Sequence, residues 1–213
     1  MMSKRIHAIQ AIRWIFFDIG STLVDEEEAY NHRIRDMIQG TSITFEQFSE
    51  KRIQYAKAGY NGDQKAIEYF ALNKTPWHSE DEVPYPDAAP ALEVLHRRGF
   101  KLGVIANQNL GTEQRLINWD MRQFFAFVAA SAELRVAKLD PAIFEWALAQ
   151  ANCSPQNAVM VGDRMDNDIA PANRIGIHTV RLMRGLGAYH EPQSVDEIPE
   201  YTISALSELI DLL

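Results

Sequence analysis

The period of the apolar positions changes twice along the chain. Trp14-Ile15-Phe16-Phe17 is an unbroken apolar run, stopped by Asp18 and then by Gly20, Ser21 and Thr22. A short apolar run bounded by turn residues reads as a strand buried on both faces. From Asp25 to about residue 73 the period becomes helical. Tyr30, Ile34, Met37 and Ile38 share one face, and Gly40 stops that helix. Thr44 with Gln47 spells a capping box for a second helix through Phe45, Phe48 and Tyr55, ending near Gly59. Asp63 can cap a third helix through Ile67, Phe70 and Ala71. Nothing in this block reads as a strand, and the breakers Pro76, Pro84 and Pro86 follow it.

From Asp87 onward helices and strands alternate. Asp87 can cap a helix carrying Leu92, Val94 and Leu95, closed by Gly99. Residues 100–106 form an apolar strand that stops at Asn107; Thr112 to Trp119 reads as a helix and Phe127 to Ala130 as a strand. Asp140-Pro141 is a good helix start, because proline at the first helical position loses no needed hydrogen bond. Ala158 to Val161 is a further strand ending at Gly162-Asp163. Asn167 to Ile175 is a helix closed by Gly176, His178 to Leu182 a strand, and Ser204 caps a last helix through Leu206, Leu209 and Leu212. This alternation predicts an α/β fold, a doubly wound (Rossmann-like) parallel sheet with helices on both faces. The division it suggests is a core of residues 1–24 and 86–213, with a small all-helical insert at 25–85.

Composition adds little to this picture and excludes a good deal. A chain of 213 residues, 46% hydrophobic and 23% charged, is an ordinary globular protein. Its net charge of −8 argues against nucleic-acid or anionic-membrane surfaces as partners. Cys153 is the single cysteine, which excludes an internal disulfide and suits a reducing compartment. The first dozen residues lack a signal-peptide core, and no apolar run approaches the roughly 20 residues that span a bilayer. The expected location is cytoplasmic.

Three of the strands end in polar groups, at Asp18, Asn107 and Asp163, and in a parallel sheet those ends share one edge, where ligands bind. Lys138 and Asp168 join them. Like charges this close repel, so a bound cation is the natural neutraliser, and carboxylates with a backbone carbonyl suit magnesium beside a substrate phosphate. The amides of the Gly20-Ser21-Thr22 turn can form an anion nest. The run Glu26-Glu27-Glu28 reads most simply as a favourable helix N-terminus, and Arg164 as a plain ion-pair partner for a neighbouring carboxylate.

These residues resemble the haloacid dehalogenase (HAD) superfamily of hydrolases. Its four motifs occur in order: Asp18-Ile19-Gly20-Ser21-Thr22-Leu23, the strand ending near Asn107, Lys138 before Leu139-Asp140-Pro141, and Val161-Gly162-Asp163 with Asp168. The helical block between the first and second motifs matches that family's cap. The resemblance implies a magnesium-dependent phosphatase-like hydrolase acting on a small phosphorylated metabolite. Asp18 would be the nucleophile, forming an aspartyl-phosphate; Asp18, the Gly20 carbonyl, Asp163 and Asp168 would hold the metal. Lys138 would orient Asp18 and neutralise the phosphoryl group, and the amides around Ile19, Gly20 and Asn107 would bind its oxygens.

Two positions depart from the family pattern. Its phosphatases usually carry a second aspartate two residues after the nucleophile, as general acid and base; here that position is Gly20. The usual Ser or Thr of the second motif is Ala106. A general acid/base contributes about 10²–10⁴-fold, roughly 3–5 kcal/mol of barrier, and a lost hydroxyl about 1 kcal/mol. A substrate with a good leaving group suffers least. Asp25, Glu26 and His32 at the insert's entry are the candidates for a substitute. Two rival readings follow: a metal-free dehalogenase-type hydrolase, in which the same aspartate attacks carbon, and a phosphate-binding regulatory protein with little turnover.

Overall fold

The computed structural model describes residues 11–213; most of the N-terminal stretch judged above lies outside them. Among the described residues there are eight strands: β1 (Trp14–Phe17), β2 (Val24–Asp25), β3 (Val83–Pro84), β4 (Lys101–Ala106), β5 (Phe125–Ala130), β6 (Ala158–Gly162), β7 (His178–Leu182) and β8 (Tyr201–Ile203). Six form one sheet of order β5-β4-β1-β6-β7-β8, and every pairing in it is parallel. The fully buried β1 lies between β4 and β6 at its centre.

The two faces of the sheet follow from the alternation along β1. Ile15 and Phe17 enter one apolar cluster with Leu92, Leu95, Leu116 and Leu209, from helices α4 (Ala88–Arg97), α5 (Thr112–Asn118) and α9 (Leu206–Leu212). Trp14 and Phe16 enter another, with Ile143, Phe144, Ala147 and Ala172, from α7 (Ala142–Ala151) and α8 (Ala170–Arg174). Period-2 side chains thus carry helices on both faces, as a parallel sheet requires. A full Phe or Leu buried here stabilises by about 1.5–3 kcal/mol.

Between β2 and β3 lie α1 (Glu27–Ile38), α2 (Phe45–Lys57) and α3 (Gly62–Tyr69), which share their own small core of Ile34, Met37, Phe48 and Ala66. The capping box is present: Thr44 Oγ1 accepts the Gln47 amide and Gln47 Oε1 accepts the Thr44 amide. The third cap is Asn61, not Asp63, since Asn61 Oδ1 accepts the Gln64 amide at 3.1 Å while Asp63 pairs with Arg52. One expectation fails at the edge of this block. Val83–Pro84 pairs antiparallel with Val24–Asp25, so a two-stranded ribbon joins insert and core. Two residues with a proline carry no readable strand period.

Elsewhere the differences are local. The segment after Asp163 begins as a π-helical turn, Met165–Ile169, before α8. Asp87 does not cap its own helix; its Oδ2 accepts Arg184 Nη2 at 2.5 Å and the Leu206 amide at 2.9 Å, joining α4 to the start of α9. Ser204 yields the capping role to Glu208, whose Oε1 accepts the amides of Ser204 and Ala205. Strand β8 was not anticipated, being three residues long behind a loop. Among the described residues no helix is long and apolar enough to cross a membrane.

Candidate active site

The strand register sets the site. Phe17 lies opposite Val104 on one side and Val161 on the other, so the residues that leave β1, β4 and β6 emerge together at the carboxyl edge. Asp18 follows β1 directly, with its amide donating to the Val161 carbonyl at 2.9 Å. Asp163 follows β6, and Asn107 follows β4. Asp18, Asp163 and Asp168 are all buried, and each offers a carboxylate oxygen within 4.8 Å of the others'.

Lys138 comes from the loop beyond β5, and two devices bring it in. Its amide donates to Asn107 Oδ1 at 2.7 Å, and the next residue, Leu139, takes a φ of 98°, left-handed backbone that a leucine rarely adopts. Its Nζ then donates to Asp18 Oδ1 and, at 2.6 Å, to Asp168 Oδ1, with 3% of the side chain exposed. Asp168 Oδ2 accepts the Arg164 amide at 3.0 Å. The Asp168 carboxyl also lies against Gly162, where a Cβ would come within 2.3 Å of it; only glycine allows that approach.

The electrostatics are those of an under-neutralised cluster. Burial and the charges of Asp168 and Asp18 push the Asp163 carboxyl well above the carboxylate range. Burial raises Asp168 to about 6 against the pull of Lys138. For Lys138 burial works against the charge, yet Asp168 and Asp18 prevail and its pKa is raised. With all three carboxylates ionised, the one ammonium leaves two negative charges, which a divalent cation would neutralise. The oxygen-only donor set fits magnesium by the same chemistry.

Around the cluster lies a cavity of about 150 Å³, below the roughly 300–1,000 Å³ of pockets for drug-sized ligands. Asp18, Gly20, Asn107, Lys138 and Asp163 line it from the sheet edge, and Tyr30, Asn61 and Asp63 from the helical insert. Asp18, Gly20, Asn107, Lys138, Asp163 and Asp168 are therefore brought together as the sequence implied. Ile19 is different: its side chain is buried in the core, and its carbonyl accepts the amides of Thr22, Leu23 and Val24.

The anticipated nest at 20–22 does not form. The Ser21 amide donates to the Val24 carbonyl and the Thr22 amide to Ile19, so both are spent on the turn. Asn107 contributes its side chain to fastening Lys138. Arg164 pairs with Asp166, its Nε at 2.9 Å from Oδ1, rather than with Asp163. Of the three substitute acids, Asp25 Oδ1 accepts the Glu27 amide, and His32 stacks on His78 while its Nδ1 lies 2.8 Å from Asp81. Glu26 alone lines the cavity. It stands at the N-cap of α1, the helix N-terminus that the run of three glutamates suggested, but makes no capping bond there. Burial first, then the charges of Asp18, Glu82 and Asp63, push its carboxyl up to about 8.

Comparison with known proteins agrees with this geometry. The family model for haloacid dehalogenase-like hydrolases matches residues 12–176. The chain is 33% identical to the glyceraldehyde 3-phosphate phosphatase of Methanopyrus kandleri, covering 95% of this chain and 97% of that one. It is 28% identical to the pyrimidine 5'-nucleotidase YjjG of Escherichia coli, over 94% and 97% of the two chains. Its fold superposes on the crystal structure of a HAD phosphatase from Thermococcus onnurineus with a TM-score of 0.66 at 22% identity, covering 94% of this chain and 97% of that one. With its parallel-sheet core and clustered strand-end carboxylates, the chain belongs to the haloacid dehalogenase-like hydrolases.

Proposed function

We propose that this hydrolase is a magnesium-dependent phosphatase of small phosphorylated metabolites, with Asp18 as nucleophile. The observation that carries the reading is the buried group of Asp18, Lys138, Asp163 and Asp168 at the sheet's carboxyl edge. Relatives named as phosphatases over nearly the full chain support it. Residues 25–85 are read as a cap over a core of 1–24 and 86–213, and the small cavity between them favours a small substrate.

In this reading an Asp18 carboxylate oxygen attacks phosphorus and the alcohol leaves. Water then attacks the aspartyl-phosphate, releasing phosphate and restoring Asp18. Lys138 holds Asp18 in place and offsets negative charge on the transferred group. The amides of Ile19, Gly20 and Asn107 are assigned to the phosphoryl oxygens. Asp18, Asp163, Asp168 and the Gly20 carbonyl would hold the metal, whose contribution is electrostatic stabilisation of the charge on the phosphoryl oxygens.

The test is phosphate release across a panel of sugar, triose, nucleoside and acyl phosphates, with and without magnesium. Magnesium-dependent release by the wild type that Asp18→Asn abolishes is the expected result. Release that survives in Asp18→Asn, or chloride release from a haloacid without metal, would overturn the reading.

A further inference from the structure

We infer that Glu26 supplies, from beside the nucleophile's own turn, the acid–base carboxyl that the first motif lacks at Gly20. The inference rests on the phosphatase reading and identifies the group that completes it.

The first observation is steric. Gly20 has no side chain, and a Cβ built there would lie 2.5 Å from both carboxyl oxygens of Glu26. The space beside Asp18 that a side chain at position 20 would enter is therefore occupied by the Glu26 carboxyl. Gly20 is not among the glycines with positive φ, so its backbone would accept a side chain. A side chain there would displace the Glu26 carboxyl.

The second observation is how Glu26 reaches this point. The turn after Asp18 folds back on itself. The Ser21 amide donates to Val24 at 2.7 Å and the Val24 amide to Ile19 at 3.0 Å, so Val24 bridges Gly20. Glu26 stands two residues beyond that bridge, at the cap position of α1 but with no capping bond to it. Its backbone follows two residues after the turn that carries the nucleophile, at the first residues of the insert.

The third observation is commitment. Asp25 and His32 are engaged elsewhere, whereas Glu26 belongs to no ion pair among the described residues and lines the cavity with Asp18, Asn107 and Lys138.

The chemistry balances. As the phosphorus–oxygen bond to the leaving group breaks, the Glu26 carboxylic acid gives its proton to the departing alkoxide, releasing the alcohol. The resulting carboxylate takes a proton from water as that water's oxygen attacks phosphorus. The bond to Asp18 breaks with its electron pair on Asp18, and Glu26 ends protonated as it began. One ester and one water give one alcohol and one phosphate.

The test uses the full-length magnesium-loaded protein, the most active alkyl phosphate of the panel, and acetyl phosphate, whose leaving group needs no acid. Glu26→Gln should lose about 10²–10⁴-fold on the alkyl ester. On acetyl phosphate it should still phosphorylate Asp18 but hydrolyse it slowly, so phosphoenzyme accumulates by intact-protein mass above the wild-type level. A purely structural role predicts less phosphoenzyme, not more. Gly20→Asp competes with Glu26 for one space, and Gly20→Asp/Glu26→Ala should recover to within about tenfold of wild type, a rescue that also covers poor folding of Glu26→Gln. Wild-type turnover in Glu26→Gln, or equal losses on both substrates without phosphoenzyme and without rescue, would overturn the role of Glu26 and leave Asp18 standing. Loss of the Asp18 reading shows separately, as activity that Asp18→Asn retains.

Discussion

Among the described residues Lys138 is the single cation paired with the buried Asp18 and Asp168. Lys138→Met leaves two buried carboxylates without their partner; breaking a buried pair in this way costs about 3–5 kcal/mol. We expect a matching fall in denaturant midpoint in metal-free protein, and a loss of phosphate release of at least about 10²-fold. His190 sets an acid limit. Burial, with Arg164 and Arg181 against it and Asp166 the one opposing influence, holds its pKa at about 4. The folded chain therefore resists a proton that the unfolded chain accepts below about 6.5, and stability falls as pH drops from about 6.5 to about 4. Wild type should lose about 2–3 kcal/mol relative to His190→Gln over that window, measured by urea melts at pH 7 and pH 4. Asp18, Lys138, Asp163 and Asp168 were legible because each stands at a strand end or in a motif. Glu26 was named but left undecided, since three consecutive glutamates spell a helix N-terminus equally well. Its direction comes from the fold-back at Val24, which no local pattern encodes.

The long elements could be read because their period is long, and the junctions could not. β1, β4 and β6 are apolar runs with clear stops, and α2 announces itself by its capping box. The β2–β3 ribbon and β8 are two or three residues each, shorter than any period. Asp87 shows a second limit: its position fitted a cap, yet tertiary partners claimed its carboxylate. It bonds Arg184 and the Leu206 amide, while Arg184 also donates to the Thr22 carbonyl at 3.1 Å and lies over the Tyr85 ring at 4.1 Å. One carboxylate thus joins α4, α9 and the turn behind the nucleophile. Asp87→Ala should cost about 1.5–3 kcal/mol in thermal or urea unfolding, the range for hydrogen bonds to a charged group, although the residue touches no part of the cavity.

The whole molecule places three carboxylates, from two strand ends and a π-helical turn, where no single element would hold them. That arrangement is costly by itself and makes sense with a cation. Magnesium at about 100 times its dissociation constant should stabilise the folded chain by about 2.7 kcal/mol, a rise of about 5–10 °C in melting temperature. Asp163→Asn should raise the melting temperature of the metal-free chain, because it removes one of three repelling charges, and should abolish the rise with magnesium. The sheet and its helical faces followed from alternation alone, and the family motif implied that Lys138 meets Asp18, whereas the left-handed backbone at Leu139 that brings it in has no sequence pattern.

The most direct measurement is acid quenching of the magnesium-loaded protein during turnover of acetyl phosphate, followed by mass mapping of the covalent phosphate. Phosphate on the peptide carrying Asp18, absent from Asp18→Asn, is the predicted result. Turnover with no covalent phosphate on Asp18, or undiminished in Asp18→Asn, would contradict the account.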